Sequence, residues 1–89
     1  MFEIEAPNYL GEAKVICYAV VNLISLRNEE QKLACFVTIC QYKPNDGYYL
    51  FYCDSNWNVF ADTWHEIVED AQDQAEYDYA GISNKWISR

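Results

Sequence analysis

One histidine, four cysteines and a dense run of carboxylates are the side chains of this chain that could do chemistry. His65 sits in Asp62-Thr63-Trp64-His65-Glu66. On a helix it would stand one turn from Glu69, with Asp62 near, but one His among scattered acids lacks the four-ligand closure of a structural zinc site. As a general base it has no Ser or Cys nucleophile placed beside it by any motif. Cys17, Cys35, Cys40 and Cys53 form no C-x-x-C pair and each lies in an apolar run. The expectation is buried, reduced thiols, although four cysteines also allow three disulfide pairings. No catalytic residue, metal or cofactor is expected, so the protein should act without catalysis.

The carboxylates are the more telling feature. Asp62, Glu66, Glu69, Asp70, Asp73, Glu76 and Asp78 are half of the chain's 14 acids, and residues 62–78 contain none of its six bases. Acids near a helix start favour the backbone dipole, which accounts for Asp62 and Glu66 and extends to Glu69. Further along, Glu66 with Asp70, Glu69 with Asp73 and Glu69 with Glu76 repeat like charges at spacings of four and seven, at a cost of a few tenths of a kcal/mol each. One reading is a solvated face that keeps an aromatic-rich protein in solution. The other is docking, through Glu66, Glu69, Asp70, Asp73 and Glu76, onto a basic protein surface. A net charge of −8 disfavours phosphate backbones and anionic membranes, so neither nucleic acid nor membrane is an expected partner.

The elements that must carry these residues follow from pattern. Phe2 to Glu5 suits a short strand or arm ended by Pro7. Lys14 to Leu26 is rich in β-branched residues and suits a buried strand, though Ile16, Val20, Leu23 and Ile24 also fall at helical spacing. Arg27 to Gln31 is a polar turn, and Lys32 to Tyr42 reads as a strand. Lys43-Pro44-Asn45-Asp46-Gly47 is the clearest turn and should close a hairpin onto Tyr48 to Cys53. Asp54-Ser55-Asn56 turns again into a short last strand, Trp57 to Ala61. Thr63 and Glu66 match the reciprocal cap of a helix start. Trp64, Ile67, Val68, Ala71, Ala75 and Tyr79 then make one apolar stripe, and Gly81 ends the helix with Ile82 folding back on Tyr77. Trp86 should pin the tail to the core.

The fold expected is therefore α+β, an antiparallel meander of three to four strands packed against one C-terminal amphipathic helix over residues 63–80, in a single domain spanning 1–89. Ile16, Val20, Phe36 and Phe51 suggest a second apolar sheet face, which needs a lid: the N-terminal arm, or a second copy of the chain in a homodimer. The aromatics Tyr48, Tyr49, Phe51, Tyr52 and Trp57 could line that dimer surface or a small-ligand pocket. A ligand-binding or enzymatic domain using them with His65 is the alternative to a protein-binding module of inhibitor or immunity type.

Glu3, Glu5 and Glu12 precede Lys14, where a secretory signal would need a basic start and an apolar run, and Val15 to Leu26 is too short to cross a bilayer. A cytoplasmic location is the expectation. Residues 53–81, with Cys-Asp-x-x-Trp-Asn-Val, Asp-Thr-Trp-His-Glu and Asp-Ala-Gln-x-Gln-Ala-Glu-Tyr, resemble a pattern in small bacterial proteins of no assigned activity, which implies no function. Gly-Tyr-Tyr from Gly47, then Asp62-Thr63, Glu66 and Ala71, more loosely resemble the strand, turn and helix end of HicB-type antitoxins. The Pro-Asp-Leu-Pro-Gly-Cys turn of that family is replaced here by Asp54-Ser55-Asn56-Trp57.

Overall fold

Alternation of apolar side chains over Tyr48–Cys53 sends Leu50 and Tyr52 to one side and Phe51 and Cys53 to the other, and all four are buried. The sheet grows outward from that strand. The structure, a computed structural model, describes residues 5–21 and 34–89. The expectations for Phe2 to Ile4, for the end of the Val15 to Leu26 run and for the turn at Arg27 to Gln31 lie outside the described residues. Chain order runs β1 (Tyr9–Leu10), β2 (Ala13–Val20), β3 (Phe36–Gln41), β4 (Tyr48–Cys53), β5 (Val59–His65), α1 (Val68–Asp78), a 3-10 turn (Ile82–Asn84) and β6 (Ile87–Ser88).

The sheet is an antiparallel meander in the order β1-β2-β3-β4-β5, with β6 pairing beside β1 on the outer edge of β2. That exceeds the three to four strands expected, because β1 and β6 are two residues each and too short to leave a periodic signal. The described part of the Lys14 to Leu26 run is a strand as far as Val20, which decides that part against the helix. Within β2 the register slips between Val15 and Cys17, making Ile16 a bulge. Ala13 and Val15 therefore share a face with Tyr18 and Val20, while Cys17, Ala19 and Val21 face the other way. Ile16 itself belongs to neither cluster, contrary to its expected place on the second face.

The turn at Lys43 to Gly47 closes the β3–β4 hairpin as expected, with Asn45 (φ 67°) and Gly47 (φ 77°) both left-handed. In the next turn the Asp54 carboxylate accepts the amides of Asn56 (2.8 Å) and Asn58 (2.9 Å), which hold it below the usual carboxylate range. Trp57 belongs to this turn (φ 66°) and not to the strand predicted there. Its ring stacks flat on Phe36, centroids 3.8 Å apart, and meets Tyr18 edge-on. Trp57, Ala6 and Leu10 pack on the second face, where Phe36, Phe51 and Cys53 are buried. The bare face that argued for a second copy as lid is thus covered.

The largest departure lies at residues 63–67. No Thr63 cap forms; Thr63 pairs with Leu50, Trp64 with Tyr49 and His65 with Tyr48, and α1 starts only at Val68 behind an uncapped Ile67. Strand pairing wins because it satisfies the backbone along the whole of Val59–His65, where a cap would satisfy one or two amides. Trp64 is held further by Gly47: its indole N–H donates to the Asp46 carbonyl (3.1 Å) and its ring lies over the glycine. Trp64 and Ile67 are half exposed, leaving Val68, Ala71, Ala75 and Tyr79 of the expected stripe to pack on the sheet.

After α1, Gly81 (φ 96°) turns the chain and Ile82 is buried in the helix-side core with Tyr79, while its expected partner Tyr77 is largely exposed. Trp86 packs on the same core as expected, and the Arg89 amide donates to the Ile16 carbonyl (2.9 Å). The tail thus ties the helix to β2.

A Cβ at Gly47 would lie 2.5 Å from the Trp64 ring at a left-handed φ. Gly47→Ala should therefore lower stability by about 1–3 kcal/mol, read from the urea midpoint, and move Trp64 fluorescence. Gly11, which meets nothing within 4 Å, should lose less on the same change.

Candidate functional site

The β3–β4 turn, the end of β5 and the start of α1 converge on Glu66. On one side of it a cleft of about 500 Å³ is lined by Gln41, Asn45, Gly47 and Tyr48 from the hairpin and by Glu66, Ile67, Val68 and Glu69. On the other side a smaller cleft of about 340 Å³ runs between Asn45, Asp46, Gly47, Trp64 and Glu66. Glu66 borders both. Its position follows from β5: once the strand runs to His65, the chain must bend at Glu66 and Ile67 to enter α1, which leaves Glu66 at a corner. Glu69 and Asp70 in the first turn of α1 complement its dipole.

The carboxylate run does not form one face. Asp62 projects from β5, Glu66 from the bend, and Glu69, Asp70 and Asp73 from α1, all five exposed. None of these five is in an ion pair among the described residues. Glu76 is employed inside the chain: its carboxylate accepts the amides of Gly81 (2.9 Å) and Ser83 (3.0 Å) and the Ser83 hydroxyl (2.8 Å), closing the turn after α1. Asp78 is buried, accepting from the Tyr52 hydroxyl and from the Gln74 amide (3.2 Å). Its spacing from Ala71 and Ala75 puts it on the buried stripe, a signal that would have found it.

The aromatic candidates divide between the two faces. Tyr48 and Tyr52 lie on the helix side, with Tyr52 buried, whereas Tyr49, Phe51 and Trp57 gather on the other with Phe51 buried. Of the five, Tyr48 lines the larger cleft. Trp64, Asn45 and Gly47 also line the clefts; none is a candidate from sequence, since Trp64 falls on the apolar stripe of the expected helix and Asn45 and Gly47 carry only a turn signal. His65 is half-buried and shares a 2.7 Å hydrogen bond with Thr63. All four cysteines are free, three of them buried. Burial pushes the thiols of Cys17 and Cys40 up to about 11 and Cys53 up to about 12, so none of these three offers a thiolate near neutrality. Burial, then the Asp78 carboxylate, raises Tyr52, and the same two causes raise Tyr79 to about 12.

No group of three or more His, Cys, Asp or Glu among the described residues could hold a metal ion, and no helix among them is long and apolar enough to cross a membrane. No protein-family model, curated protein or solved structure matches this chain. What fold and site define is a small α+β meander with an acidic, aromatic-edged corner.

Two outcomes follow. Glu76→Ala should cost about 1–2 kcal/mol through its lost hydrogen bonds, while Asp73→Ala leaves the denaturation midpoint unchanged. Raised thiol and phenol pKa values mean that the folded state keeps protons which the unfolded chain releases. Their contribution is complete below the unfolded thiol value of 9.0 and is lost as pH climbs toward 11–12. Urea midpoints should thus be level up to about pH 8.5 and fall steadily by pH 10.5.

Proposed function

We propose that this chain is a non-catalytic protein-binding module, of the inhibitor or immunity type, that recognises a basic surface on its partner. The observation that carries the reading is Glu66 standing between two open clefts, with Glu69 beside it in one and Trp64 beside it in the other. A lysine or arginine entering either cleft would meet a carboxylate, and in the smaller one an indole whose face attracts cations. Asp70 and Asp73 extend the negative field along α1 and would speed encounter with a cationic patch. Glu76 and Asp78 take no part, since both are committed to the fold.

The test is to recover partners of the tagged protein from its native cell at low ionic strength and to measure the affinity of the purified pair. Between about 0.05 and 0.5 M salt the affinity should fall by about tenfold or more, as charge-led contacts are screened. Glu66→Lys with Glu69→Lys should weaken the pair comparably at low salt. A partner held equally well at both salt levels and by the doubly reversed variant would remove this reading.

A further inference from the structure

The two edges of the sheet are built differently. On the β2 side the edge is broken into β1 and β6, of two residues each. On the other side β5 presents seven residues, and among the described residues no strand pairs with its outer edge. Along it Val59, Phe60 and Trp64 are 40%, 45% and 50% exposed. A long, partly apolar edge of this kind is a template for another strand.

Two features restrict what can add there. The register of β5 against β4 shifts at Phe60, which bulges the first part of the strand. At the strand's midpoint stands Asp62, exposed and in no ion pair among the described residues. Two copies pairing antiparallel over the full length would set Asp62 directly against its own image, between chains of −8 each. Like charges directly opposite are destabilising. A strand with a base at that point would instead be attracted.

We infer that β5 accepts, by strand addition, an extended basic segment of another protein, one that places Lys or Arg opposite Asp62 and an apolar residue opposite Trp64. In an antiparallel ladder these two positions on the incoming segment are two residues apart and on the same face, the apolar one first. A further base ahead of them meets the field of Glu66. The segment so described has the form basic-x-apolar-x-basic. This rests on the basic-partner reading above and adds to it the conformation of the bound segment.

The probe is the synthetic peptide Lys-Thr-Val-Thr-Lys-Thr-Val with blocked ends, used with two analogues carrying backbone N-methyl groups, one on the odd residues and one on the even. All three have the same charge. In a strand, alternate amides point to opposite edges, so strand addition requires that one methylated peptide lose binding by about tenfold or more while the other retains it. Amide exchange should slow along β5 on binding, and Asp62→Lys, at an exposed position, should abolish the effect with an unchanged circular dichroism spectrum. If both methylated peptides bind like the parent, recognition is by charge alone; strand addition is then wrong and the basic-partner reading stands. Absence of binding by every peptide at low ionic strength would overturn the inference, as would a dimer of the free protein with β5 already protected.

Discussion

Burial of β4 on both faces is the constraint from which the rest of the fold follows. Leu50 and Tyr52 belong to the core beneath α1, and Phe51 and Cys53 to the one beneath Trp57 and Ala6. A slip of one residue against either neighbour would exchange the two sets. The left-handed turn at Asn45 and Gly47 fixes β3 against β4, and the Asp54 turn fixes β5. With both registers set, β5 runs as far as His65, and α1 begins only at Val68. The corner at Glu66 and both clefts beside it are products of that register.

Beneath α1 the same strand supplies a polar anchor. Tyr52 and Tyr79 are the largest fully buried side chains among the described residues, and the Tyr52 hydroxyl ends on Asp78, itself bonded to Gln74. An unpaired carboxylate there would cost far more than these contacts return. Once paired, it admits only helix positions that bring Asp78 over Tyr52. The small residues Ala71 and Ala75 let the helix approach closely but specify little about its rotation or translation. Asp78 above and Glu76, which ties the helix end to Gly81 and Ser83, supply what the alanines cannot. Two of the seven clustered acids are thereby structural, and the surplus charge belongs to the other five.

What could be read from residue patterns divides along the range of the forces. Tyr48–Cys53, the turn before it, the left-handed Gly81 and the packing of Trp86 were legible because each rests on local alternation or on one residue's conformational preference. Thr63 and Glu66 mislead for the same reason: their spacing is a valid cap, but the alternative is a pairing of Thr63, Trp64 and His65 with Leu50, Tyr49 and Tyr48, residues 13 to 17 positions earlier. The bulge at Ile16 left no trace, since apolar residues occupy both sides of it. The acidic run was legible as charge and not as shape, because a linear stretch was distributed over a strand, a bend and a helix. Trp64, which borders the smaller cleft, moved from core to surface with that one change of element.

The acidity and the open edge bear on the same problem. A meander whose last strand carries Phe60 and Trp64 half exposed needs some protection against its own copies. Covering the edge would take further chain, and shortening it, as at β1 and β6, would cost the pairing that places Trp64 over Gly47. Charge at the midpoint of the strand requires neither change. Asp62 opposes a second β5 at the point of closest symmetry, while Glu66 and the acids of α1 give each molecule a repulsive flank. That protection is selective by sign. It disfavours strands like itself and would favour a segment of opposite charge, so solubility and recognition need not be competing explanations of these carboxylates.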